Sequence, residues 1–465
     1  MSDRSARLRP APGSDGYPAI AERLAAEVAA VPAGAPIRLA KKTSNLFRDR
    51  HPGPRHRLDV SGLDRVFAVD TRARTAEVGG MTTYEHLVAA TLPYGLSPLV
   101  VPQLRTITLG GAVSGLGIES ASFRNGMPHE SVLAADVLTG DGRIVTATPD
   151  GEHGDLFRGL PNSYGTLGYA LKLTIELEPV RPYVHLRHRR FRDAGEYAAA
   201  LADVCASREH AGEPVDFVDG TVFGRDELVL TLGTYADTAP YVSDYTGQQI
   251  YYRSLLGRTE DHLTTHDYLW RWDTDWFWCS RAFGVQNPRI RRLVPRRLLR
   301  SETYWKIAAF ERRYGLYGRL ERLRGAPAKE QVVQDVDVPI ERVPEFLDFF
   351  HRELGISPLW ICPVRQRDPA VDWSLYSLDP ERLYVNFGFW STVDLEPGED
   401  TSTHNRLVEE EVDRLGGFKS LYSTAFYSPE DFDRLYSGAD FASLKKRYDP
   451  HSRFPDLYAK CVQRA

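Results

Sequence analysis

A chain of 465 residues with 42% hydrophobic and 26% charged side chains is long enough for two or three lobes and too apolar to be disordered. A formal net charge of −5 argues against nucleic acid as a partner of the whole surface. The four cysteines, Cys205, Cys279, Cys362 and Cys461, are widely spaced with no C-x-x-C pair, which disfavours a disulfide framework or zinc site and points to a reducing compartment.

The opening MSDRSARLRPAPGSDG lacks the apolar run of a secretory leader, and no stretch approaches about 18 apolar residues. Neither a leader nor a membrane span is expected, and the expected location is the cytoplasm. PAIAERLAAEVAAV reads as an amphipathic helix and PIRLAKK as a short strand. LDRVFAVD and RTAEVGG are two strands turning near Thr71–Ala73. MTTYEHLVAATLP reads as a helix with Thr82 and Glu85 as its capping box, stopped by Pro93.

Next comes the glycine-rich segment TLGGAVSGLGIES, Thr108–Ser120. Gly115-x-Gly117-x-x-Ser120 departs from the dinucleotide fingerprint at its third position and has no clear βαβ context, so a Rossmann site is disfavoured. The segment also lacks the GK[ST] of a P-loop. A tight multi-turn loop and a phosphate cradle of backbone N–H groups both remain open. Val132–Leu138 and Arg143–Ala147 form a hairpin about Gly140–Gly142. A second glycine-rich stretch, NSYGTLGYALKL, leads into a strand that alternates strictly, with Leu171, Leu173, Ile175 and Leu177 on one face.

Pro179 and Pro182 mark a lobe boundary. Beyond them, FVDGTVFGRDELVLTLGTYA reads as a strand pair, QVVQDVDVPI as a strand, VPEFLDFFHREL as a helix and RLYVNFGFWS as a strand. Asp335 and Asp337 sit i, i+2 on the second of these and are expected on an exposed face. The tail adds two helices, the first capped by Ser428 with Pro429 in its first turn. Strands interleaved with helices make the fold class α+β.

Together, TLGGAVSGLGIES, the Gly126–Val132 step, DLFRGLPNSYGTLGYALKLTIEL, QVVQDVDVPIERV, SPLWICP and GGFKSLYSTAFYSPEDF resemble the vanillyl-alcohol oxidase-type flavoproteins, most closely the delta-24 sterol reductase (diminuto/seladin) group. The resemblance runs in order through most of the chain from about Arg38. It implies a PCMH-type FAD-binding domain over 15–180 in two subdomains, 15–80 and 81–180. An α+β substrate or cap domain with an antiparallel sheet over 181–415 would follow, and a C-terminal segment, 416–465, would close on the flavin.

The resemblance places FAD along Thr108, Leu109, Gly110, Gly111, Ala112, Val113, Ser114, Gly115, Leu116, Gly117, Ile118, Glu119 and Ser120. Ser122, Gly126 and Val132 would continue that wall, with Gly165, Thr166 and Gly168 beside adenine or flavin. KKTSN, that is Lys41, Lys42, Thr43, Ser44 and Asn45, stands where many relatives carry a glycine-rich phosphate loop, here without a glycine; Lys41 and Lys42 suit two phosphates, the alternative being a solvated basic turn. Some relatives attach the flavin covalently; His51, His56 and His129 are the nearest candidates, none in a clear attachment motif, so noncovalent FAD is expected. Tyr422, with Lys419, lies in the tail segment that returns to the flavin, where a hydroxyl or amine can move a proton.

Four tryptophans crowd WRWDTDWFWCSRAFG. They read either as aromatic core or as the wall of a pocket for a flat hydrophobic substrate, for which Trp276, Trp278, Arg281 and Asn386 are the contact candidates. No metal site is read. Between Arg281 and Arg324 there are twelve Arg and one Lys against three Glu. This block is a solvated basic face, a contact for an anionic membrane surface, peripheral on the inner face, or a site for a nicotinamide phosphate. The activity implied is FAD-dependent reduction of a carbon–carbon double bond in a sterol-like or isoprenoid substrate, with NADPH as a donor. The alternatives are FAD-dependent oxidation of an alcohol, sugar or lipid-linked sugar, and a non-catalytic flavin- or lipid-binding protein. The oligomeric state is left open.

Overall fold

The computed structural model describes residues 16–41, 47–48, 56–314, 327–376 and 378–464. Two antiparallel sheets dominate it. In the first, Gly168–Pro179 pairs with Thr75–Gly79 on one side and Val132–Thr139 on the other. Val66–Asp70 and Ile144–Ala147 lie outside these, and Leu96–Pro98 pairs with the far end of the central strand. The predicted alternation holds: Leu171, Leu173, Ile175 and Leu177 are at most 4% exposed, because period-two spacing puts all four on the core face. The helix Tyr84–Thr91 is capped by Thr83, whose hydroxyl accepts from the His86 N–H at 3.3 Å. Thr82 is one residue too early for the cap; its hydroxyl donates to the Arg65 carbonyl.

The chain passes between sheets within Val180–Pro182, and Tyr183–Phe191 already belongs to the second. That sheet has eight strands in the order 260–264, 183–191, 227–236, 217–224, 359–364, 384–394, 329–339 and 418–419. On Tyr384–Asp394, Val385, Phe387 and Phe389 face the helix Val343–Glu353, with Phe346 tilted against Phe387 and Phe350 edge-on to Phe389 at ring distances of 4.6 and 4.8 Å. The alternate residues, Asn386, Gly388 and Trp390, face the other way.

The tail holds three helices rather than the expected two: Pro429–Leu435, Gly438–Tyr448 and Leu457–Cys461. Before them, Phe418–Lys419 adds an edge strand to the second sheet beside Val336 and Asp337. The helices then return to the first sheet's side, where the Gly140 N–H donates to the Tyr448 carbonyl at 2.7 Å and Lys445 donates to the Thr166 carbonyl at 2.7 Å.

The two halves are bolted together by a buried charge cluster. Arg271 donates to Asp219 at 2.7 Å and contacts Glu119, at the end of the glycine-rich segment, at 3.4 Å. Gln103 and Ser120 also donate to Glu119, and the Trp272 and Trp360 indoles donate to Asp219. All three charged side chains are at most 3% exposed. Removing the cation strands two carboxylates away from water. Arg271→Met is expected to lower stability by about 3–5 kcal/mol, read as a shift in the urea denaturation midpoint.

Candidate active site and cofactor cavity

Both sheets and the tail line one cavity of about 660 Å³, within the usual size range for cofactor and ligand sites. The glycine-rich segment forms one wall. The Thr108 hydroxyl accepts from the Gly111 N–H at 3.3 Å and starts the short helix Leu109–Ser114. The glycines there answer different demands. A Cβ on Gly110 would lie 2.7 Å from the Gly80 carbonyl oxygen, one on Gly115 2.8 Å from the Gly111 oxygen, and one on Gly117 3.0 Å from Pro102. These three are required by the protein's own packing. A Cβ on Gly111 would meet only the Thr108 hydroxyl, at 2.9 Å, and this residue is exposed on the cavity wall. Gly111 is thus the one of these four glycines whose Cβ would meet no backbone and no second residue, and it faces the cavity.

Of the residues expected to hold FAD, Thr108, Gly110, Gly111, Ala112, Ser114, Gly115, Leu116, Gly117, Ile118, Gly165 and Gly168 line the cavity. The others do not. Leu109 and Val113 point into the core, and Val132 packs in its strand. Glu119 and Ser120 belong to the charge cluster, Ser120 also bonding Tyr268 at 2.7 Å. The Ser122 hydroxyl accepts from the Glu119 N–H, and Thr166 donates to the Ser163 carbonyl. Gly126 is a turn residue with φ 68°, its side-chain space filled by the Glu130 carboxylate. Lys42, Thr43, Ser44, Asn45 and His51 lie outside the described residues.

The cavity also gathers further residues, of which the sequence had singled out Lys41 and Trp276 and not the others. Arg38, Lys41, Arg48, Arg57 and Lys460 bring positive charge to its wall. Arg38 and Arg57 lie directly opposite each other on the parallel pair Ile37–Leu39 and His56–Leu58, a pairing no local pattern announces. Trp276, Phe277, Trp305, Trp360 and Trp390 supply an aromatic wall. Leu116, Tyr164, Trp276 and Phe277 all take left-handed backbone, with φ of 55°, 51°, 46° and 57°. Each such non-glycine residue costs roughly 1–2 kcal/mol, and all four lie on this wall.

Three substrate candidates fall away. Trp278 is buried behind Phe277 and Trp390, Arg281 is exposed on the outer surface, and Asn386 is fully buried beside Asp337. Lys419 is withdrawn too: its ammonium is buried in an ion pair with Glu409 and also donates to the Thr424 carbonyl at 2.8 Å. His129 packs edge-on against Trp373 at 4.4 Å, away from the cavity wall, and burial pushes its pKa down to about 3. His56 is exposed.

Tyr422 remains, with partners not anticipated for it. Its hydroxyl accepts from the Trp390 indole at 2.8 Å and bonds Asp335. Asp335 and Asp337 do not share an exposed face. They pair with Gly388 and Asn386 across the ladder, on the inward side of the sheet. A Cβ at Gly388 would lie 2.6 Å from the Asp335 carboxylate, so that glycine makes room for it. Asp337 is 3% exposed and accepts from Asn386 at 3.1 Å. Burial, reinforced by the neighbouring Asp337 charge, pushes Asp335 up to about 8; burial pushes Asp337 up to about 7. A protonated carboxyl is thus held beside Tyr422 on the cavity wall. Cys279 also lines the wall, and burial pushes its thiol up to about 12, so it stays protonated.

The FAD binding domain family matches residues 17–148, which form the glycine-rich wall and most of the first sheet. The chain carries an FAD binding domain. It is 27% identical over 432 residues to the human Delta(24)-sterol reductase, covering 88% of this chain and 78% of that protein. The Arabidopsis thaliana Delta(24)-sterol reductase is 25% identical over 439 residues, 87% of this chain and 76% of that protein. Cytokinin dehydrogenase 10 of rice matches at 26% over 212 residues, 42% of this chain and 36% of its own length. The chain is an FAD-dependent oxidoreductase. Its cavity fits the cofactor: Gly111 is bare where a side chain would intrude, cationic side chains suit a pyrophosphate, and apolar rings suit an aromatic ring system. Gly111→Trp is expected to yield a folded protein without flavin, checked by circular dichroism and by absorbance of flavin released on denaturation.

Proposed function

We propose that this oxidoreductase reduces a carbon–carbon double bond of a sterol-like or isoprenoid substrate, with noncovalently bound FAD and NADPH as electron donor. The chemistry supplied by bound FAD is hydride transfer. Arg38, Arg57, Lys460 and the Gly111 backbone would hold its phosphates. The observation that carries this reading is the acid on the wall. Reducing an alkene requires a proton for the second carbon, whereas oxidising an alcohol requires a base. Tyr422 gives its proton to the substrate and is resupplied by protonated Asp335, which burial and Asp337 keep neutral near pH 7. The Trp390 indole holds the Tyr422 oxygen in place throughout. Trp276, Phe277, Trp305 and Trp360 offer a large apolar substrate its contact surface and exclude water from the site.

Noncovalent FAD is supported by the placement of His129 away from the cavity wall and by the raised pKa of the Cys279 thiol, which keeps it protonated. Anaerobic mixing tests the direction of the reaction. NADPH should bleach the flavin promptly, and a Δ24-unsaturated sterol in detergent should restore its colour. Bleaching by an alcohol and not by NADPH would reverse the assignment. Tyr422→Phe should retain flavin and slow the reoxidation by sterol about 10²–10⁴-fold. Because Asp335 must be protonated to act, that rate should fall as pH rises through about 8, and Asp335→Asn should remove this limb of the profile.

A further inference from the structure

The basic block beyond Arg281 resolves into a surface of definite character. Arg291 leaves it, buried in an ion pair with Asp275 at 2.6 Å, and Arg300 is tied to Glu85. Arg289, Arg292 and Arg297 are exposed and make no ion pair among the described residues. Interleaved with them are Ile290, 45% exposed, Leu293, 84% exposed, and Leu298, 43% exposed. The helix Ser301–Tyr314 continues the pattern with Ile307 at 45% and Phe310 at 55%. Large exposed apolar side chains are thus concentrated in one short stretch of chain, where they alternate with unpaired cations. Water alone does not favour that arrangement.

The same helix reaches the active site. Ser301 and Trp305, one turn apart, line the cavity, while Ile307 and Phe310 lie on the opposite side at i, i+3 spacing. One face of a single helix therefore forms cavity wall and the other is exposed and apolar.

We propose that residues 289–310 dock the enzyme on an anionic lipid bilayer surface, with Leu293, Ile307 and Phe310 inserted among the acyl chains and Arg289, Arg292 and Arg297 on the headgroups. The charge decides the occupant: three exposed arginines with no ion pair among the described residues, interleaved along the chain with exposed apolar side chains, complement an anionic, apolar interface. Among the described residues no helix is long and apolar enough to cross a membrane, so the contact is interfacial. Docking there sets the cavity wall at Trp305 one helix thickness, about 10 Å, from the lipid in which an apolar substrate would be dissolved.

Co-sedimentation of the flavin-loaded full chain with vesicles tests this. Binding is expected to vesicles of phosphatidylglycerol mixed with phosphatidylcholine, weak binding to phosphatidylcholine alone, and release by salt. Replacing Arg289, Arg292 and Arg297 together by Ser should cut partitioning about a hundredfold. Leu293→Ser with Phe310→Ser should also weaken it, and flavin absorbance in each variant reports an intact fold. Equal binding to both vesicle types, or unchanged binding by the variants, would overturn the proposal. So would a concentration-dependent dimer in sedimentation velocity that the Leu293→Ser, Phe310→Ser variant abolishes, which would assign the patch to a second copy of the chain.

Discussion

The Arg271 guanidinium between Glu119 and Asp219 is the constraint on which the molecule is organised. Glu119 is the last residue but one of the glycine-rich segment, Asp219 sits on a central strand of the second sheet, and Arg271 follows the first tryptophan of the tryptophan-rich segment. Three charges removed from water are tolerated only in a geometry that satisfies them, so the cluster permits one relative placement of the three segments. That placement sets the glycine wall opposite the aromatic wall. The cavity is the space left between them.

Each sheet faces this space with the residues its own helices do not need. On Tyr384–Asp394 the phenylalanines are taken by the helix Val343–Glu353, and alternation sends Asn386, Gly388 and Trp390 inward. Ladder register then sets Asp337 beside Asn386 and Asp335 beside Gly388. The tail's short edge strand brings Tyr422 within reach of both Trp390 and Asp335. An inward-facing carboxyl near an apolar cavity cannot easily ionise, so the same burial that isolates the site makes its acid. Leu116, Tyr164, Trp276 and Phe277 hold left-handed backbone on this wall, and left-handed non-glycine residues also occur elsewhere in the fold, as at Arg74 and Ser437.

Much of the local structure was legible because it depends on periodicity. The strict alternation of Leu171–Leu177 and the hairpin about Gly140–Gly142 need only near neighbours, and both formed as read. The glycine-rich segment was also legible as a place of close approach, although Gly110, Gly115 and Gly117 serve the protein's own packing and only Gly111 faces the cavity without such a demand. Asp335 and Asp337 were misplaced on an exposed face because alternation says which residues share a side and not which side is covered. Lys419 was a reasonable candidate by position, but Glu409, ten residues earlier in the chain, captures it.

By itself the sequence determined the α+β class, the strands and helices, and the segment that approaches a cofactor, since these follow from side-chain period, glycine placement and turn residues. The tertiary structure alone decided that Tyr422 bonds Asp335, that Arg38 and Arg57 meet on one wall, and that Arg291 is buried while Arg292 is exposed. Those outcomes depend on long-range pairing and on which surfaces are removed from water, and no local pattern encodes either. The basic block at residues 289–310 shows the division most clearly: its charge is visible in the sequence, but only the fold shows which arginines remain unpaired and that leucine and phenylalanine stand beside them at the surface.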